Sequence, residues 1–399
     1  MRIIERYPAR FRMLSGTGAW VLLYPVRLLL AGIHRIWLSL PGRRRAAPRA
    51  ASDRKPCPAA ERRPRVISIG NLETGGGGKT PCALRIAGGI AGRGGLAVVV
   101  SRGYRSIAER YAPCVVPAGR DLRSGSGGID FITDEALLAR LSADPGGYAP
   151  AAEALGDEIL LYRERGIPVV IDPERERGAV LARRLFSPTH ILLDDAFQNL
   201  SIGKDLEILL LDAERPFGNG HLLPLGTLRE RPRAIRRADV VLFTRAASER
   251  VPPEAESHLS GRRVFFARHE ARDLLGRNGQ PVSLKYLDGR ECILFSGIAR
   301  PGSFERTVLS LGARPRAAFR FIDHHRYTRA DIDAMLRERA GDAPFVTTEK
   351  DWVKAHELFP EEADVVALRI EMRIEGFDDL LDLVSSSSAS PEPRSRDFP

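Results

Sequence analysis

The sequence predicts an α/β protein with three parts: a P-loop NTPase-like parallel sheet core, a smaller C-terminal α/β domain, and an N-terminal membrane-associated helix. Three observations carry that prediction. Short, continuously apolar runs alternate with helical stretches from residue 66 onward, the pattern of parallel strands covered on both faces. The first of these runs is followed, after Asn71 and Leu72, by ETGGGGKT at 73–80. The basic excess of the chain is confined to its first 65 residues.

The charge distribution comes first because it decides what kind of partner to expect. The 399 residues carry 61 Lys/Arg and 51 Asp/Glu, a formal net charge of +10. Residues 1–65 hold 15 Lys/Arg and 3 Asp/Glu, which leaves 46 and 48 for residues 66–399, a net of −2. A near-neutral body with a cationic arm argues against nucleic acid and for an anionic membrane surface. Within the arm, AWVLLYPVRLLLAGIHRIWLSL (19–40) is interrupted by Arg27, His34 and Arg35, which fall on one narrow stripe at helical periodicity. Residues 1–42 are therefore expected to form a helix lying in the headgroup region, with its tryptophans at the boundary. Residues 43–65 carry too little apolar surface to pack and read as a basic linker. Cys57, Cys82, Cys114 and Cys292 show no C-x-x-C spacing and read as reduced thiols.

In the body, strands are expected at VISIG (66–70), LAVVVS (96–101), IPVVI (167–171), HILLDD (190–195), LEILLLD (206–212) and DVVLFT (239–244). They define a P-loop core over 66–260. Two extended stretches flanking RNGQ make 261–290 a two-stranded hinge. A smaller α/β domain follows over 291–384, and the Ser/Pro-rich 385–399 reads as a disordered tail.

The glycine run supplies the first chemistry. A strand, a side-chain-free loop and a helix opening at Thr80 aim backbone N–H groups at one place and favour an anion there. Lys79 is expected to reach the β- and γ-phosphates of an ATP-type nucleotide, and the Thr80 hydroxyl to ligate Mg²⁺. Nucleotide-binding positions are thus Asn71, Thr74, Gly75, Gly76, Gly77, Gly78, Lys79 and Thr80. Glu73 stands where the usual G-x-x-x-x-G-K-[ST] pattern has its first glycine. Asp194 and Asp195 end an apolar run and are the expected carboxylates near the metal. Arg102, after LAVVVS, and Arg229 with Glu230, in the Gly/Pro-rich GNGHLLPLGTLRE, are candidate substrate contacts, as is Asn219 in the same loop.

These blocks come in a recognisable order: ISIGNLETGGGGKTP (67–81), SRGY (101–104), GDE (156–158), LLDDAFQN (192–199), LDAERPFGNGHLLPLGTLRE (212–230). SGIARPGSFERTVLSLGA (296–313), DHHRYT (323–328) and TTEKDWVK (347–354) complete the series. Together they resemble the tetraacyldisaccharide 4′-kinase family of lipid A synthesis, over essentially all of 14–384. The resemblance implies transfer of the ATP γ-phosphoryl group to the 4′-hydroxyl of a tetraacylated glucosamine disaccharide 1-phosphate, forming lipid IVA, at the cytoplasmic face of the bacterial inner membrane. It implies ATP and Mg²⁺ as cofactors, the lipid disaccharide and the membrane surface as partners, and no obligate protein partner.

It also implies that Asp157 is the base that takes the hydroxyl proton, with Glu158 beside it as a metal or substrate contact. The family pairs a histidine with that base. His324 is preferred here and His325 is the alternative, since adjacent residues seldom share a face. The chain departs from the family at Ala196 and Asn199, where DDGFQH is usual. The rival reading is a P-loop ATPase switch that binds a membrane partner; no [NT]-K-x-D guanine-reading motif is present.

Overall fold

The apolar run that precedes the glycines forms β2 (Arg65–Asn71), whose residues after Arg65 are all buried. It lies in the middle of the sheet, which is why it can afford no exposed polar face. A computed structural model of the protein describes residues 1–6, 63–104, 106, 108–110, 113–116 and 155–386. The helix expected at 19–40, most of the basic linker and the end of the C-terminal tail lie outside the described residues.

After β2 the chain runs through α1 (Lys79–Gly92), β3 (Ala97–Ser101), β4 (Cys114–Val116), α2 (Asp157–Glu164) and β5 (Val169–Ile171). There follow α3 (Arg175–Phe186), β6 (His190–Asp194), β7 (Leu206–Asp212) and β8 (Val240–Thr244). The long β9 (Arg263–Leu275) leads to the short β10 (Pro281–Val282), then to β11 (Glu291–Ser296), α4 (Pro301–Ser310) and β12 (Arg314–Phe321). Last come α5 (Arg329–Arg337), β13 (Phe345–Thr348), α6 (Glu349–Ala355), β14 (Val365–Ile374) and α7 (Phe377–Ser385).

With β1 (Arg2–Arg6) at one edge, the strands form one mixed, largely parallel sheet in the order β1-β12-β11-β13-β14-β9-β8-β7-β2-β6-β3-β5-β4, with β10 on β9. β9 belongs to both halves. Its first four residues pair parallel with β8, and Ala267–Leu275 pair antiparallel with β14. The stretches flanking Arg277–Gln280 form only a two-residue hairpin with β10; β14 supplies the longer partner. One hydrophobic cluster runs through both halves, from Ile67 and Ile86 to Phe295 and Phe345. Each such fully buried large side chain contributes ~1.5–3 kcal/mol, so the halves share a core and also enclose a cleft.

The start of the chain corrects an expectation. Residues 1–42 are expected as one helical arm, but β1 (Arg2–Arg6) pairs parallel with β12 at the sheet edge. Ile4 packs on the main cluster and Arg2 meets Glu338 at 3.4 Å. Two adjacent β-branched residues suit a pleated edge better than a helix start.

Candidate active site

Every parallel strand of the core ends at one edge, and the phosphate loop, the Asp194–Asp195 turn and the loop after β7 all leave from there. Gly78 adopts φ +84° at the start of α1, a left-handed conformation open to glycine without strain. A Cβ at Gly77 would lie 2.6 Å from the Asn71 amide nitrogen, so any larger residue there would displace that side chain. Asn71 Oδ1 in turn accepts from Lys79 Nζ at 3.3 Å. Glu73 is a brace. The Thr74 N–H donates to the Thr227 carbonyl at 2.8 Å, and the Thr227 hydroxyl donates to Glu73 Oε1 at 2.6 Å. The loop's first position is therefore fastened to the segment that carries Arg229.

A cavity of about 1470 Å³ spans the two halves of the sheet. It is lined by Thr74–Thr80, Asp157, Glu158, Asp194, Asp195, Arg102 and Arg229 from the core side, and by His324 and Lys350 from the other. Asp157 opens α2 and is buried. Both of its oxygens lie 3.1 Å from His324 Nδ1. Burial alone would raise this carboxyl, but the His324 hydrogen bond and the ammonium groups of Lys350 and Lys354 hold it well below the usual carboxylate range. His324 sits at φ +61°, and its N–H donates to the Gly297 carbonyl at 3.0 Å. His325 turns the other way: its ring stacks on Phe321 at 4.5 Å, and its Nε2 contacts Asp331 at 3.1 Å. Of the two histidines, His324 faces the cavity and His325 packs.

Asp194 and Asp195 differ sharply. Asp194 is buried and its Oδ1 has no hydrogen-bond partner. Burial first, then Glu158 and Asp195, push its carboxyl up to about 7, with Lys79 and Arg175 opposing. Asp195 is satisfied: Arg229 Nη1 donates to both its oxygens at 2.7 and 2.8 Å, and Lys79 lies 3.6 Å away. Burial would raise Asp195 too, yet Lys79 and Arg229 hold it below its usual range. No group of three or more His, Cys, Asp or Glu side chains spaced for a metal occurs among the described residues. The unpartnered, electrostatically crowded oxygen of Asp194, in the same cavity as Thr80, is nevertheless the environment a divalent cation would relieve.

The other candidates separate. Arg102 lines the cavity and is paired with Glu109 at 2.7 Å. Glu230 is turned to Arg237, at 2.7 and 2.8 Å, and does not line the cavity. Asn219 stays in its own loop, its Oδ1 accepting from the His221 N–H at 3.2 Å, also off the cavity. Asn199 lines it, but its Oδ1 accepts from the N–H and hydroxyl of Ser201. Ala196 is in the core.

Several charged residues in or next to the cavity give only a weak signal in the sequence. Lys350 and Lys354 lie at i,i+4 on α6, on one face, and both reach Asp157 Oδ2 at 3.6 Å. Their signal was the pair of lysines following a Thr-capped helix start in TTEKDWVK. Arg245 and Arg300 converge on the buried Asp212 beside Gly76. Arg175 holds the Asp194 carbonyl at 3.0 Å.

Comparison with known proteins gives a consistent result. The sequence model of the Tetraacyldisaccharide-1-P 4′-kinase family matches residues 20–386. A Tetraacyldisaccharide 4′-kinase of Anaeromyxobacter dehalogenans (strain 2CP-C) is 40% identical over 338 residues, 82% of either chain. One from Elusimicrobium minutum is 32% identical over 321 residues, 78% of this chain and 79% of that one. Among solved structures, that of LpxK from Aquifex aeolicus in complex with ATP superimposes with a TM-score of 0.63 at 25% identity, covering 91% of this chain and 98% of that one.

Proposed function

This chain belongs to the tetraacyldisaccharide-1-phosphate 4′-kinase family, and from that premise we propose how its side chains divide the reaction. The protein is a lipid A 4′-kinase that moves the γ-phosphoryl group of ATP to the 4′-hydroxyl of a tetraacyldisaccharide 1-phosphate. The observation that carries the assignment of roles is the Asp157–His324 pair, which opens onto the same cavity as the Gly75–Thr80 loop.

The triphosphate lies along the loop N–H groups and the N-terminus of α1, with Lys79 at its β- and γ-oxygens. Asp157 takes the proton of the 4′-hydroxyl. The oxygen attacks the γ-phosphorus, the bond to the β,γ-bridging oxygen breaks, and ADP leaves with that electron pair. Asp157 is already ionised, so it is ready to accept, and His324 Nδ1, 3.1 Å from both its oxygens, fixes the orientation of the carboxylate. Mg²⁺, held by Asp194 and the Thr80 hydroxyl, would supply charge to offset the β- and γ-oxygens. Arg229 keeps Asp195 against Lys79, and Arg102, a cavity-lining cation, is the proposed contact for the substrate's 1-phosphate.

Residues 19–40 are proposed to lie in the cytoplasmic face of the inner membrane, so that the acyl chains stay in lipid while the sugar enters the cavity. The sequence pattern of that segment supports this. Deleting 19–40 while keeping β1 should move the protein to the soluble fraction; unchanged membrane sedimentation would rule out the anchor. The reaction itself is tested with purified protein, Mg²⁺-ATP and the lipid disaccharide. Asp157→Asn should lower phosphorylation by roughly 10²–10⁴-fold with ATP binding retained. Lipid-independent ATP hydrolysis indifferent to Asp157→Asn would point to a switch ATPase instead.

A further inference from the structure

Lys350 reaches four charged or titratable side chains of the cavity wall. Its Nζ lies 3.1 Å from His324 Nε2, 3.6 Å from Asp157 Oδ2, 3.7 Å from Asp323 Oδ1 and 3.9 Å from Glu158 Oε1. Burial would lower its ammonium, but Asp157, Glu158, Asp323 and Asp351 outweigh burial and raise it, so Lys350 is charged. An ammonium carries three donors and no acceptor. Its contact with Nε2 is a hydrogen bond only if that nitrogen presents a lone pair. The ring proton must then sit on Nδ1, where both Asp157 oxygens wait at 3.1 Å.

We propose that Lys350 is a positioning residue that holds His324 as the neutral imidazole with its proton on Nδ1. The proposal rests on the reading of Asp157 as base given above. Asp157 alone asks only that Nδ1 carry a proton, which an imidazolium also satisfies. Lys350 excludes the second proton, because a proton on Nε2 would face the ammonium. Among the described residues, three charged groups face His324: Asp157 from α2, Asp323 from its own turn, with Oδ2 at 3.8 Å from Nε2, and Lys350 from α6. Asp323 favours a proton on Nε2, so the opposing choice falls to Lys350, which is the closer of the two. A neutral ring orients the base without adding a third positive charge to those of Lys350 and Lys354 beside it, and leaves Asp157 as the group that receives the substrate proton. The lysine is itself fixed in place. Thr348 caps α6, accepting from the Asp351 N–H at 3.2 Å, and Asp351 Oδ2 accepts from the Gly297 N–H at 3.0 Å. Gly297 is also the residue whose carbonyl holds His324.

The test is ¹⁵N NMR of histidine-labelled, nucleotide-free protein at pH 7, with His324→Gln used to assign the resonances. The wild type should show one protonated and one bare nitrogen on His324, the protonated one being Nδ1. In Lys350→Met the bare Nε2 signal should be lost or averaged, whereas Lys350→Arg, another donor-only cation, should restore it. Lys354→Met removes a cation from Asp157 that does not touch His324, and should leave the tautomer unchanged. In the lipid assay Lys350→Met should lower kcat by roughly 10–100-fold, with the KM for ATP within about twofold and partial recovery in Lys350→Arg. An unchanged His324 spectrum in Lys350→Met would overturn the proposal, as would equal loss of the signal in Lys354→Met. If Lys350→Met fails to fold, the spectrum of Lys350→Arg decides: a bare Nε2 supports the proposal and a protonated one overturns it. Because the spectra are recorded without substrate, this result stands or falls separately from the identity of the phosphate acceptor.

Discussion

Arg300, carried by the loop between β11 and α4, donates to Asp212, a carboxylate buried at the end of the core strand β7. The same oxygen accepts from Arg245 Nη1 at 2.5 Å, and Arg245 Nη2 donates to the Gly76 carbonyl at 2.6 Å. Asp212 Oδ1 is occupied by the Glu214 N–H at 2.9 Å. One carboxylate thus fastens the second half of the chain to the first, beside the phosphate loop. Arg300→Met leaves Asp212 paired with Arg245, and Arg300 is itself more than a third exposed, so global stability should fall by under about 1 kcal/mol. The local effect should be larger: amide exchange across 74–78 should speed up, and the KM for ATP should rise by roughly fivefold, ~1 kcal/mol. Unchanged exchange in that window would mean the bridge does not hold the halves together.

His269 gives the fold a dependence on pH. Burial, then the guanidinium of Arg245, push its imidazole down to about 4, against a weaker pull from Asp212. Its Nε2 is buried without a partner. The folded protein therefore keeps His269 neutral, while the unfolded chain takes up a proton near the ordinary value of 6.5. Stability from this residue is complete above pH 6.5 and is lost as pH falls from there towards 4, by about 3 kcal/mol at most. His269→Gln should flatten that part of the curve in urea denaturation at pH 7.5, 6 and 5. A wild type and variant that lose stability in parallel would refute this.

Much of this was legible in the sequence because the signals are local. VISIG running into four glycines needs no tertiary knowledge, since backbone freedom and a helix start already define an anion cradle. HILLDD likewise ends its strand at the edge where ligands bind. What stayed hidden depends on pairing across the chain. Whether His324 or His325 faces the cavity is set by the ring of Phe321 beneath His325, which neighbouring residues cannot reveal. Lys350 and Lys354 are ordinary lysines on a short helix until α6 packs beside α2. Arg2–Arg6 become a strand only because β12, far along the chain, offers an edge. Glu230 and Asn219 are candidate substrate contacts by their place in the Gly/Pro-rich loop, but Arg237 and the 219–226 loop use them first.

Gly77→Ala tests how the cradle is tensioned. The added methyl would meet the Asn71 amide at 2.6 Å, and Asn71 is the side chain that orients Lys79. Pushing Asn71 aside should weaken ATP binding by roughly tenfold while leaving the melting temperature within about 2 °C, since the loop is at the surface of the cavity. Asn71→Ala should weaken binding too, and the two changes together should cost less than their sum because they act through one contact. Titration of each variant with a fluorescent ATP analogue measures this. Full additivity would place the effect of Gly77 elsewhere.

Asp194 carries the sharpest prediction about the metal. Its Oδ1 is buried without a partner and crowded by Glu158 and Asp195. At pH 8, above its raised value of about 7, the metal-free protein must hold an ionised carboxylate there at a cost. Asp194→Asn removes the charge at nearly constant shape, so without Mg²⁺ the variant should melt higher than wild type by roughly 2 °C or more. Adding Mg²⁺ with an ATP analogue should reverse the order, because the wild type gains the bound cation and the variant does not. Melting curves with and without chelator settle it: a variant stabilised by Mg²⁺ as much as the wild type would remove Asp194 from the metal site.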